Sequence, residues 1–304
     1  MPITVTVERT SGQLQIASNS TIMEFNPWEM GSFDPGLAAF APLKYIGSDF
    51  ENGTIDRNKV CIVGVDNVGN NANADSTILT LLDGGEDLQN IPFHPLLISD
   101  RQFNVIFTVN GSANTITRWP NGTALVAIYQ RSKEGTSTKN SEFPKVPDQN
   151  TFINLGLNNH PTFFGCDTGS HNSSGPLIVY VPNVLYIYLS NFITFDLEYD
   201  DSERNQIVRN GYNVATMGNG TEDSDWPACV GCAVLACNLI RLGTDIPSKC
   251  VECFARYCWN GTINSIMPGT YEPEQIISSG VGDLAPCLRA MEAPVLIALM
   301  LLYL

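Results

Sequence analysis

The stretch TILTLLDGGEDLQNIPFHPLL (77–97) decides how this chain reads. Thr77 to Leu82 is a short apolar run that stops sharply at Asp83-Gly84-Gly85. Four to eight such residues bounded by turn formers read as a buried strand, and paired glycines let the backbone reverse at once. The strand would deliver the Asp83 side chain at its carboxyl end, where open α/β sheets meet their ligands. Burial there would desolvate the carboxylate and suit it as a base for a partner hydroxyl. The plainer reading is a strand-end acid that caps a following helix. Glu86 and Asp87 read as solvated turn acids.

Outward from this point, FNVIFTV (103–109) and LIVYVP (177–182) are further strand candidates. Residues 123–132 and 202–210 read as helices, the second with Asp201 or Ser202 at its N-cap. Buried strands interleaved with helical stretches argue for an α/β sheet rather than a sandwich. Residues 1–60 read as turn-rich, because Asn26-Pro27-Trp28 and similar proline punctuation cannot sit inside a helix. The asparagine-rich residues 66–76 read as a loop or a deleted connection.

The 304 residues carry 16 basic and 31 acidic side chains, a net charge of −15. A field of that sign repels nucleic acid phosphates and anionic lipid surfaces, so no nucleic-acid partner is expected. No serine has glycine two before and two after it, and no glycine-rich nucleotide loop occurs. The histidines, His94, His160 and His171, show no metal-ligand spacing and read as structural or exposed. No cofactor and no metal site is expected.

Seven Asn-x-Ser/Thr acceptors, at Asn19, Asn52, Asn110, Asn121, Asn172, Asn219 and Asn260, accompany nine cysteines. Together they favour a secreted, oxidised protein. The segment MPITVTVERTSG has neither a basic n-region nor an apolar core, so as given the chain shows no signal peptide. At the other end, small residues Ser278, Ser279 and Gly280, a spacer, and the apolar tail 293–304 have the order of a GPI-attachment signal, with a buried helix as the alternative. Six cysteines crowd residues 226–262: Cys229, Cys232 and Cys237, then Cys250, Cys253 and Cys258 at the same spacing. That spacing fits a four-cysteine zinc site, while an oxidising compartment favours disulfides. An odd total leaves at least one cysteine without an intramolecular partner.

Several stretches resemble the fungal phospholipase B, or lysophospholipase, family, which is related to the cytosolic phospholipase A2 catalytic domain. They include EFNPWEMGSFDP (24–35), LLDGGEDLQNIPFHPLL (81–97), WPNGTALVAIYQR (119–131), VPDQNTFINLGLN (146–158), NGYNVATMGN (210–219) and CVECFARYCWNGT (250–262), in order over nearly the whole chain. The resemblance implies a three-layer α/β catalytic domain, incomplete at its N-terminus, with a disulfide-stapled cysteine-rich part. Residues 1–262 would be the C-terminal part of that domain (cysteine block 226–262), 263–292 a polar spacer with the anchor site, and 293–304 the tail. It implies a serine–aspartate dyad that hydrolyses acyl esters of phospholipids and lysophospholipids, with Asp83 as the aspartate. Cys61 and Cys166 are disulfide candidates as well. The family's nucleophile turn, its glycine-rich oxyanion loop and its arginine have no counterpart here, and the connection between DNVG (66–69) and ADSTILTLLDGG (74–85) is shorter. The expectation is therefore an ester hydrolase inactive at this length, at a membrane surface through its substrate or an anchor. The alternative is a non-catalytic secreted or surface glycoprotein derived from the enzyme.

Overall fold

Val5 and Val7 alternate with Thr4 and Thr6, and that period of two makes β1 (Thr4–Glu8) a strand with one buried face. It begins an antiparallel meander with β2 (Ile22–Phe25), β3 (Glu29–Ser32) and β4 (Ala39–Pro42). A small hairpin, β5 (Phe50–Glu51) and β6 (Thr54–Ile55), follows. Residues 1–60, expected to be mostly turns, thus supply most of one sheet. Pro27 lies at the β2–β3 corner, while Gly31 and Pro42 lie within strands, so these residues do not exclude the sheet. In this computed structural model the described residues are 1–9, 15–17, 20–34, 37–45, 50–51, 54–55, 80–98, 101–134, 143–166, 175–193 and 195–277.

β7 (Leu81–Asp83) pairs with β1 in the register Thr6↔Asp83 and completes a five-stranded sheet of order β4-β3-β2-β1-β7. It is three residues long, at the sheet's edge and only half-buried. The expected buried strand is therefore a short edge strand, and residues 77–79 of its apolar run lie outside the described residues.

The second sheet has β10 (Leu177–Pro182) at its centre, parallel to β8 (Val105–Asn110) and antiparallel to β9 (Thr162–Phe164). All six residues of β10 are buried. Leu177, Val179 and Val181 face one apolar cluster, while Ile178 and Tyr180 face the other. A strand covered on both faces has no polar side to offer, which is why LIVYVP runs apolar without alternation. α1 (Thr123–Glu134) and α2 (Gln149–Asn154) supply one cluster; α3 (Asp201–Thr216), α4 (Trp226–Arg241) and α5 (Ser248–Tyr257) supply the other. Mixed sheets with helices give the chain its α/β character.

Helix α3 is capped by Asp200, one residue before the expected positions, whose side chain accepts from the Glu203 N–H at 2.8 Å. From its middle, Asn210 reaches into the connection after β10. Its Oδ1 accepts from the N–H groups of Tyr186, Ile187 and Tyr188, and its Nδ2 donates to Val184 O and Ser190 Oγ. One fully buried amide thereby satisfies a turn that no regular ladder serves.

α4 and α5 lie antiparallel, joined by disulfides Cys229–Cys253 and Cys232–Cys250. Residues three apart share a helix face, so each Cys-x2-Cys pair can meet the other in reverse order. The third cysteine of each triplet departs from that pairing. Cys258 follows the end of α5 in an extended conformation and bonds Cys166 beside β9. Cys237 lies five residues beyond Cys232, well round the helix, and is free; its thiol donates to Asn104 O at 3.0 Å. Cys237 is thus removed from the disulfide candidates, and Cys61 falls outside the described residues. The zinc reading falls with these pairings, since the thiolates it needs are consumed.

Candidate functional site

The Gly84–Asp87 turn, a single 3-10 turn, follows β7 directly. Asp83 is its N-cap and accepts the Gly85 N–H on Oδ1 at 2.6 Å. Leu88 closes the turn with a positive φ of 58°, its N–H bonding Gly85 O, while the Gln89 N–H bonds Gly84 O. Gly84 is required by crowding against backbone, while a side chain at Gly85 would have to displace the ends of its neighbours' side chains. A Cβ on Gly84 would stand 2.9 Å from Val5 O of β1, and one on Gly85 would stand 2.7 Å from Asn90 Oδ1 and 3.0 Å from Asp83 Oδ1. The turn is pressed against the meander on one side and wrapped round the Asp83 carboxylate on the other.

Asp83 is exposed, so the expected desolvation is absent, and the capping role foreseen as the plainer reading is what its geometry shows. Among the described residues, no side-chain hydroxyl is hydrogen-bonded to it.

A run of side chains ties this turn to the second sheet. Asn90 Nδ2 donates to Ser112 Oγ at 3.2 Å, the Ser112 N–H donates to Asn110 Oδ1, and Asn110 Nδ2 donates to the Tyr180 hydroxyl. The acid-bearing turn therefore sits beside the loop that leaves the carboxyl end of β8. Asn191 Nδ2, after β10, donates to Thr117 O and joins that same edge. Leu88, Ile116 and Leu189 are exposed on these turns.

Beneath the turn lies a buried polar cluster that the sequence reading did not foresee. Glu86 is exposed as expected, but the Asp87 side chain is only 16% exposed and is paired with Arg131 of α1. The second Arg131 nitrogen donates to Ser20 O at 2.6 Å. Burial pushes the Asp87 carboxyl above the usual range against the pull of Arg131 and Gln89. Asp34, bonded by the Ile22 N–H, is raised by burial too, again with Arg131 opposing. His94, almost fully buried, is held neutral with its pKa lowered to about 4, first by burial and then by the Arg131 and Arg101 charges. Arg101 itself bridges Glu24 and Pro95 O and lies over the Phe33 ring. The long-range pairing of α1 with residue 87 leaves no mark in local sequence, which is why spacing could not reveal it.

The remaining candidates scatter. His160 holds only its neighbour Pro161 O, and His171 lies outside the described residues. Asn110 is closed as a glycan acceptor, since it is 1% exposed and its Nδ2 is engaged by Tyr180. Asn219 and Asn260 are exposed, Asn121 is half-buried, and Asn19, Asn52 and Asn172 lie outside the described residues. The anchor-like Ser278 to Gly280 and the tail lie outside as well. Within the expected spacer, residues 264–277 run along the protein: the Asn264 N–H bonds Thr151 Oγ1, Tyr271 O accepts from Thr117, and the Ile276 and Ile277 N–H groups bond Leu185 O and Tyr186 O. Among the described residues no group of three or more His, Cys, Asp or Glu side chains is placed to hold a metal ion.

These features define an α/β protein with an acid-bearing turn at the edge of one sheet and a disulfide-stapled helix pair behind the other. The chain belongs to the lysophospholipase catalytic-domain family, whose model matches residues 1–77 and 70–264. It is 45% identical over 331 aligned positions to lysophospholipase 2 of Aspergillus fumigatus, covering 90% of this chain and 56% of that protein. To a lysophospholipase of Penicillium chrysogenum it is 43% identical, covering 90% of this chain and 54% of the relative. To lysophospholipase 1 of Saccharomyces cerevisiae the identity is 41%, with coverages of 87% and 49%. The chain thus spans about half the length of the curated relatives it matches. The aligned lengths exceed its 304 residues, so the relatives carry residues inside the matched region that it lacks.

Proposed function

We propose that the chain is the acid-bearing part of a phospholipase B-type lysophospholipase, hydrolysing acyl esters of phospholipids and lysophospholipids through a serine–aspartate dyad. The observation that carries this is the placement of Asp83. One carboxylate oxygen is held by the Gly85 N–H, and Oδ2 has no partner among the described residues, at the edge where the loops after β8 and β10 gather. In the reaction the serine hydroxyl, outside this chain, attacks the acyl carbonyl while Asp83 accepts its proton. Asp83 then returns the proton to the departing glycerol oxygen, and water repeats the sequence on the acyl-enzyme. The second sheet and its two helical coverings would be part of a three-layer catalytic domain. Exposed Asn219 and Asn260, beside three disulfides, support an extracellular setting with glycans at those positions.

Asp83→Asn in the protein at its native length should abolish fatty acid release from lysophosphatidylcholine, with the fold retained by circular dichroism. Hydrolysis at the unsubstituted rate would overturn the assignment. A second reading, a non-catalytic surface glycoprotein derived from the enzyme, is favoured by the absence of a hydroxyl bonded to Asp83 among the described residues. Labelling native extracts with a fluorophosphonate separates the two. A labelled species well above 33.2 kDa after deglycosylation supports the enzyme, and an unlabelled one near that mass supports the glycoprotein.

A further inference from the structure

We propose that Arg131 is a positioning residue for Asp83, acting through the Asp87 end of the same turn; the inference rests on the reading of Asp83 as the catalytic carboxylate. Arg131 comes from the last turn of α1, 44 residues from Asp87, and its side chain is only 10% exposed. Its fork holds two things at once. One arm takes the Asp87 carboxylate, and the other takes the Ser20 carbonyl just before β2. The turn is therefore clamped between α1 and the connection from β1 to β2. β1 is also the strand that pairs with β7 and whose Val5 carbonyl abuts Gly84.

The consequence for Asp83 follows from how short the turn is. Four residues separate Asp83 from Leu88, and the Leu88 and Gln89 N–H groups close it. Asp83 points where it does because Gly85 N–H points at it. Once Asp87 loses its partner, a half-buried carboxylate must take up a proton or swing to water, and either releases the end of the turn. The Gly85 N–H then loses its direction, and the Asp83 carboxylate with it.

The surroundings make the guanidinium hard to replace. Asp34 lies close enough to feel the same charge, and neutral His94 faces it without adding a third cation beside Arg101. The Arg131 Nε, Gln89 Oε1 and His94 Nε2 atoms are buried without hydrogen-bond partners among the described residues. The clamp is thus set in a buried polar surrounding whose donors and acceptors are not all paired. A lysine keeps the charge but offers no fork to hold carboxylate and carbonyl together.

Two measurements test this. In the present chain, hydrogen exchange of the Leu88 and Gln89 amides is compared between the unsubstituted protein, Arg131→Lys, Arg131→Gln and Asp87→Asn. Protection there should fall tenfold or more in all three, while Val126 in α1 and Val179 in β10 change less than twofold. Equal changes at all four amides would overturn the inference by showing a general loss of stability. In the protein at its native length, Arg131→Gln and Asp87→Asn should each lower kcat at least tenfold with KM within twofold, and the double variant should be no worse than the more damaging single one. If Arg131→Gln does not fold, Asp87→Asn, nearly isosteric, carries the test alone. Unchanged kcat in a folded variant, with Asp83→Asn inactive, would sink the positioning role and leave the lysophospholipase reading intact. Full activity in Asp83→Asn would remove the reading itself, and the positioning role with it.

Discussion

The two ends of this molecule are held together by different chemistry. Around α4, α5 and β9, three disulfides lock the elements, with loops of 18, 24 and 92 residues closed. Around Asp83 no covalent link exists among the described residues, and the turn is held by the Arg131–Asp87 pair, glycine contacts and one edge-strand ladder. The covalent end answers to redox conditions and hardly to pH, whereas the ionic end answers to pH and local solvation. On the proposed reading Asp83 has to exchange protons, and its support then lies where charge can be adjusted. The helix pair behind the second sheet has only to remain in place.

That contrast can be broken hardest at Cys166–Cys258, which closes the longest loop. Replacing both cysteines with alanine should lower unfolding free energy by about 4–5 kcal/mol in urea denaturation, against less than about 3 kcal/mol for the Cys232–Cys250 pair, whose loop stays bounded by Cys229–Cys253. Equal losses would show that loop length does not set the order. Next comes Asn210, whose alanine variant leaves three N–H groups unserved and should lose about 3 kcal/mol. Asn210→Asp can still accept those N–H groups and should lose less.

Acid should act on the other end. His94 has its pKa lowered to about 4 in the fold against 6.5 when unfolded, so the unfolded chain binds the extra proton between those values. Stability is full above about pH 6.5 and falls as pH drops toward 4, by up to roughly 3 kcal/mol from this residue. Asp34 and Asp87 have the opposite sign: both are raised by burial, so the fold binds their protons more tightly and part of the loss is offset. His94→Gln should flatten the slope of unfolding free energy between pH 6.5 and 4, and an unchanged slope would place the acid sensitivity elsewhere. Asp223, near the staples, is pushed up by burial, but bonds from Tyr257 and Arg256 bring it below the usual range, so the stapled end should weaken only at more acid pH. The smallest effect belongs to Cys237→Ala, about 0.5–1 kcal/mol for one thiol–carbonyl contact, read from the same denaturation curves.

How much of this was legible in the sequence depends on how local the cause is. LIVYVP announces β10 at its observed bounds because a strand buried on both faces can hold nothing polar. The helices at α1 and α3 are placed by the sequence, whereas the repeated Cys-x2-Cys leaves zinc and disulfides open and gives no pairing. The meander in residues 1–42 was hidden because its strands are only four or five residues long, with Gly31 inside one and Pro42 ending another. The strand-end pattern and then the resemblance singled out Asp83, yet neither its exposure nor the clamp beneath it could be read. Burial of a short strand depends on what lies beside it, and Arg131 meets Asp87 only through the packing of α1. Asn110 illustrates the same limit: its Asn-Gly-Ser triplet gives no hint that its amide is bonded to Tyr180.

The antiparallel ladder of Cys229–Cys253 and Cys232–Cys250 has a kinetic consequence. When a reductant attacks one of these bonds, the displaced thiol stays beside the mixed disulfide, because the neighbouring bond holds Cα atoms 5.2 Å apart. At that effective concentration the thiolate expels the reductant faster than a second reductant molecule can complete the cleavage. Each bond thereby slows the reduction of the other, and a bond is lost only when a second thiol reaches its mixed disulfide before the neighbouring thiolate does.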